Sequence, residues 1–355
     1  MIFLRILVSA IGFGMGPIGK LCTIIENNNY DWYACGDRIS SDIFERYPFH
    51  DECWSREEKD ILRFVNKYKI KYAVVVLDPQ VAIILTRIGV KVLYIDSLVF
   101  MWNEADLLPF DVEVYCAQKY PGYKPSAVMD KVNNLKWVGP IVNSVKEKKK
   151  EDYIVINFGG LHSPFGEGIE YLRIVLDTVM PFFENQEIFV TGGENVITYC
   201  KQFYPSLKAK TFCHDDFLEL VSRSKLFLTS PGLTTIYETC HFNIDTIVLP
   251  PQNLSQFYNI SIADKVCRSV RTIGWNKKEL SLQELNKQGN LPEDEVVKKI
   301  YMEIKKIAGD KAYLASFSNM FRMVLSKESR NNAFGKIECT GLEEVSKELR
   351  RMVDV

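Results

Sequence analysis

Leu228-Thr229-Ser230-Pro231-Gly232-Leu233-Thr234-Thr235-Ile236-Tyr237-Glu238 is an apolar run that stops at a Ser-Pro-Gly turn and resumes as a helix from Thr234. Proline lacks an N–H and glycine tolerates unusual backbone angles, so the pair ends a strand sharply. A helix starting there presents unpaired N–H groups beside the Thr234 and Thr235 hydroxyls, which suits an anion. Glu238 lies one turn in. Its carboxylate can accept from both ribose hydroxyls of a nucleotide whose phosphates sit at Ser230, Gly232 and Thr234. A capped helix with a solvated acid in its first turn fits this stretch alone equally well.

The same grammar repeats outward. Phe217–Ser224 reads as a helix, Leu226–Leu228 as a strand, and Thr246–Leu249 as a strand ending in Pro250-Pro251. The uncharged amides of Gln252 and Gln256 that follow suit sugar hydroxyls, or a polar loop and helix cap. Upstream, the strand Tyr153–Asn157 runs into Phe158-Gly159-Gly160-Leu161-His162-Ser163, a loop whose amides and hydroxyl can hold a diphosphate without lysine. Gly168–Met180 is helical, and Glu187–Val190 ends at Thr191-Gly192-Gly193.

The first half opens likewise. Ile2–Ala10 reads as a buried strand entering Ile11-Gly12-Phe13-Gly14-Met15-Gly16, with a helix over Ile18–Asn27. Helical spacing marks Glu57–Lys69 and Val81–Ile88, and strands are expected at Tyr72–Leu77 and Val90–Ile95. Continuous apolar strands separated by helices predict parallel sheets covered on both faces. The chain is therefore α/β, with two Rossmann-like units facing a cleft: 1–143 for an acceptor, a charged linker at 144–152, 153–339 for a donor, and a helix at 340–355 crossing back. In that helix Thr340 and Glu343 form a capping-box pattern.

Length and composition agree. At 355 residues the chain suits two cores, and 47% hydrophobic with 25% charged residues is ordinary for a globular protein. A net charge of −1 offers no general attraction to nucleic acid or anionic membrane. Nine scattered cysteines without a CxxC pair, and four histidines without ligand spacing, point away from a zinc cage and toward reduced thiols in the cytoplasm. No integral membrane segment is expected.

From Phe217 to Asn259 the sequence resembles the donor half of GT-B glycosyltransferases, closest to the UDP-N-acetylglucosamine transferase of lipid II synthesis. In that family a Ser-Gly turn, a helix with a ribose-binding glutamate, a Pro-containing strand end and a Gln/Asn-rich helix follow in this order. The resemblance assigns Glu238 to the ribose, Gln252 and Gln256 to the sugar, and Gly159-Gly160 to the phosphates, with Leu161 where the family has serine. It implies a UDP-sugar donor, no metal and no further cofactor. Related enzymes, including a UDP-sugar hydrolase of pseudaminic acid synthesis, carry a histidine in the first glycine loop, where this chain has Met15. Ser230 stands where retaining enzymes pair a second glutamate with Glu238, which favours inversion.

The stretch Val92–Trp102 carries Asp96, Ser97 and aromatic residues, with Glu104 just beyond. Together with Gly159-Gly160-Leu161 it also resembles cytosylglucuronate synthases, which join glucuronate from UDP to a cytosine. Asp96 or Glu104 is the expected base, and Gly12, Gly14, Met15, Gly16, Ser97 and Trp102 the expected acceptor side. A nucleotide-sugar hydrolase, a UDP-sugar 2-epimerase and a non-catalytic sugar-nucleotide-binding subunit remain alternatives on the same fold.

Overall fold

A computed structural model describes residues 4–12, 15–37, 47–104, 106–122, 124–143, 149–159, 168–267, 269–287, 293–327 and 338–354. Contacts divide the chain into one unit of Met1–Asn143 with Glu338–Val355, and a second of Ser144–Ile337.

In the first unit the elements are β1 (Arg5–Ala10), α1 (Gly16–Glu26), β2 (Asp31–Cys35), β3 (Glu52–Cys53), α2 (Glu58–Tyr68), β4 (Tyr72–Val76), α3 (Pro79–Arg87), β5 (Lys91–Asp96), β6 (Val114–Gln118) and β7 (Leu135–Val138). The sheet runs β3-β2-β1-β4-β5-β6-β7 and every pairing is parallel. Its strands are apolar on both faces because both are covered. Leu7, Val75, Val92 and Tyr94 face one core, while Ile6, Val8, Val74, Leu93 and Ile95 face the other.

The second unit holds β8 (Tyr153–Asn157), α4 (Ile169–Val179), β9 (Glu187–Thr191), α5 (Glu194–Phe203), β10 (Lys208–Ala209), α6 (His214–Arg223), β11 (Leu226–Thr229), α7 (Leu233–His241), β12 (Thr246–Val248), α8 (Leu254–Val266), β13 (Val270–Thr272), α9 (Leu282–Asn286), α10 (Glu293–Gly309) and α11 (Lys311–Leu325). Its sheet, β10-β9-β8-β11-β12-β13, is also parallel throughout. Counted within the unit, that order is 3-2-1-4-5-6, the doubly wound arrangement of dinucleotide-binding folds. The first unit has the same order with one strand added at its edge.

α12 (Gly341–Val353) returns to the first unit, where Val345, Leu349 and Met352 bury against the α1 face of the sheet. The expected capping box does not form. Thr340 caps the helix without a side-chain bond, and Glu344 rather than Glu343 reaches backbone, accepting from Gly139 N at 2.7 Å. Gly341 is needed for this docking, because a Cβ there would lie 2.1 Å from Gly139 O. The end of the charged segment makes surface contacts with the rest of the second unit. Glu151 N donates to Arg223 O at 2.7 Å, and Asp152 pairs with Lys225; residues 144–148 lie outside the described residues.

Candidate functional site at the strand ends

In an open parallel sheet a crevice forms where neighbouring strands send their connections to opposite sides, at the carboxyl ends. In the second unit that point lies between β8 and β11. The loop beginning Phe158-Gly159 leaves β8, and Ser230-Pro231-Gly232 leaves β11 beside it. Asn157 ties these ends together. Its Nδ2 donates to Thr229 Oγ1 at 3.1 Å, and its Oδ1 accepts from Gly159 N and Thr191 Oγ1, both at 3.0 Å. Ser230 N donates to Asn157 O at 2.9 Å. Gly159 has φ +62, which glycine adopts without steric cost.

α7 starts at this turn with an N-cap, Gly232, that offers no side chain, and with no acid in its first turn. Its leading N–H groups, with Thr234 and Thr235, are arranged for an anion. Glu238 is buried on the next turn. Its Oε1 lies 2.8 Å from His214 Nε2, at the start of α6. The two side chains are 4% and 11% exposed.

Other expected donor residues also make framework bonds. Gln252 is buried and its Nε2 donates to Ser230 Oγ at 3.1 Å, while Gln256 Oε1 accepts from Gln252 N at 2.8 Å. Tyr171 and Trp275 donate to Pro250 O and Pro251 O at 2.8 and 2.6 Å, and Asn259 to Pro231 O at 2.8 Å. These bonds hold the 250–259 segment against the Ser230 turn. Gly192 serves packing: a Cβ there would meet Val196 at 3.0 Å. Gly160, His162 and Ser163, and in the first unit Gly14, lie outside the described residues.

In the first unit the corresponding point lies between β1 and β4. Gly12 follows β1, and Met15 and Gly16 open α1, whose N-cap makes no side-chain bond. Across from them Leu77 adopts φ 54, a left-handed angle that costs a branched side chain about 1–3 kcal/mol. Lys20 of α1 is buried here, and its charge acts on Asp96.

Asp96 is not arranged as a base. It is fully buried and accepts three hydrogen bonds: from Leu98 N at 2.7 Å, Trp102 Nε1 at 2.7 Å and Tyr115 OH at 2.5 Å. Burial pushes its pKa up, against the lowering by these donors. It anchors the turn that carries Ser97, itself buried, and Trp102. Glu104 is not arranged as a base either. Its side chain is 68% exposed and paired with Lys131. Beyond Asp96, a cavity of about 220 Å³ is lined by Val99, Phe100, Lys119, Tyr120, Pro125 and Trp137. Phe100 and Tyr120 stack in its wall.

His214 carries no signal in the sequence, since it lies 24 positions from its partner and only the fold brings them together.

No protein-family model and no curated protein matches this sequence. Solved structures match along nearly its full length. A UDP-GlcNAc 2-epimerase of Methanocaldococcus jannaschii, solved with UDP-GlcNAc and UDP, is 12% identical, with 98% of this chain and 99% of that one covered at a TM-score of 0.54. The spinosyn forosaminyltransferase SpnP is 9% identical, over 99% and 100%, at 0.53. The glycosyltransferase of kitacinnamycin is 11% identical, over 99% and 98%, at 0.53. The fold is GT-B. At these identities the likeness is one of fold, and chemistry must be argued from the site. In GT-B terms, the Gly159 loop, the Ser230 turn and Glu238 all belong to the C-terminal Rossmann-like unit. Among the described residues no helix is long and apolar enough to cross a membrane.

Proposed function

We propose that this chain is a glycosyltransferase that moves a sugar from a nucleoside diphosphate, UDP, to a small-molecule acceptor with inversion and without a metal. One observation carries the donor half. The Gly159 loop and the Ser230–Glu238 turn and helix leave adjacent strands at the switch point, with a buried carboxylate one turn below an uncapped helix start. The diphosphate accepts from the first N–H groups of α7 and from Thr234 and Thr235. Those dipoles stabilise the charge that develops on the leaving phosphate. Glu238 accepts from the ribose hydroxyls. Gln252 and Gln256 act indirectly, by fixing the turn.

The acceptor belongs to the first unit, along Gly12, Met15, Gly16 and the turn of Ser97 and Trp102. Asp96 holds that turn in place. The likeness of Val92–Trp102 to cytosylglucuronate synthases makes a pyrimidine the first acceptor to screen, and the cavity beside Phe100, Tyr120 and Trp137 offers flat faces for such a ring.

The test has two stages. Thermal unfolding with UDP, TDP, GDP, CMP and NAD should show stabilisation by UDP. A ligand at about a hundred times its Kd adds about 2.7 kcal/mol. No response to any nucleotide overturns the proposal. UDP-sugars are then incubated without acceptor. Released UDP would make the protein a hydrolase, and an inverted C2 a 2-epimerase, the activity named for the M. jannaschii neighbour. Consumption only when an acceptor is added is the result expected here.

A further inference from the structure

Glu238 is held by one oxygen. His214 Nε2 lies 2.8 Å from Oε1, and among the described residues Oε2 receives no hydrogen bond. We propose that His214 is a positioning residue for ribose recognition: its Nε2–H fixes Glu238 through Oε1 and leaves Oε2 as the acceptor for the ribose hydroxyls. The inference rests on the donor site proposed above and extends it to a residue that touches no ligand.

The choice of histidine follows from what a buried acid needs. A carboxylate taken out of water without a partner is costly. Arginine would satisfy it with a two-pronged fork and occupy both oxygens. Imidazole Nε2–H is a single donor on a stiff ring, so it satisfies one oxygen and no more. Donation by Nε2 to Oε1 leaves Oε2 as an acceptor. The ring is carried by the first residue of α6, and the acid by the second turn of α7, so two rigid helices set the geometry. A glutamate without this hold would sample several rotamers and bind sugar hydroxyls with an entropic cost.

The test is the affinity for UDP and for 2′-deoxy-UDP, measured by calorimetry on wild type, His214→Gln and His214→Phe, each first checked for cooperative unfolding. Wild type should prefer UDP by about tenfold, the worth of a hydrogen bond to a charged group. In His214→Phe, UDP should weaken by about tenfold while 2′-deoxy-UDP changes much less, so the preference collapses. A glutamine amide places an N–H near the same point, and His214→Gln should keep the preference. A merely structural role would weaken both ligands alike. If His214→Phe fails to fold, His214→Asn, too short to reach Oε1, replaces it with the same expectation. Retention of the preference in His214→Phe (or His214→Asn) overturns this inference alone. A wild type that binds no UDP overturns the donor site, and this inference with it.

Discussion

Replacing Asp96 by alanine tests whether this acid is an anchor or a base. The carboxylate is fully buried, and its removal strands three donors: Leu98 N, Trp102 Nε1 and Tyr115 OH. Each buried donor left without an acceptor costs about 1–3 kcal/mol. Part of that is returned, because the fold no longer buries a charge whose pKa is raised by desolvation. The net loss should be about 2–4 kcal/mol, a large share of ordinary domain stability. Urea unfolding followed by tryptophan fluorescence reads it, since Trp102 is one of the stranded donors. The pH dependence carries a second signature. A folded pKa above the unfolded one means that the fold binds the extra proton between the two values. Wild-type stability should therefore fall as pH rises from the usual carboxylate range through the raised pKa of Asp96, and level off above it. That component should vanish in Asp96→Ala. A variant within about 1 kcal/mol of wild type, with the same pH profile but no transfer activity, would refute the anchor and restore Asp96 as a base.

Three further outcomes follow from the same geometry. Glu238→Ala should remove ribose hydrogen bonds worth about 1.5–3 kcal/mol, so a UDP concentration that stabilises wild type by about 2.7 kcal/mol should give the variant only about 0.3–1.3; full stabilisation in a thermal unfolding series would exclude it from the donor site. Glu104→Gln removes an exposed ion pair with Lys131, and stability and turnover should both stay near wild type, as denaturation and initial rates will report. Gly341→Ala drives a Cβ to within 2.1 Å of Gly139 O, so α12 must shift. A loss of about 1–3 kcal/mol and faster amide exchange in α1 and α12 are expected; unchanged exchange would show that the helix docks differently.

The second Rossmann-like unit was legible because its signals are local. A Ser-Pro-Gly turn, a glycine pair after an apolar run and an acid one helical turn later are all fixed by neighbours in the chain. Edge strands were not legible. In β7 two of four residues are exposed, and β3 and β10 have two residues each, too short to show a period. The surroundings of Asp96 were not legible for a different reason. An acid at a strand end looks the same whether it meets solvent or three donors, and one of those donors, Tyr115, comes from the next strand. The framework bonds of Gln252 and Gln256 were not legible for the same reason, since their partners, Ser230 Oγ and Gln252 N, come together only in the fold.

Sequence by itself determined the alternation of strand and helix, the presence of two Rossmann-like units and the loops at the carboxyl ends of their strands. Backbone propensity and apolar spacing are properties of neighbouring residues, so they survive in one dimension. Only the tertiary structure decided that β8 and β11 lie side by side, which residues of the returning α12 bury against the α1 face, and that Glu238 is held by His214. Each depends on which segments, distant in the chain, bury surface against one another, and hydrogen-bond partners follow from that packing.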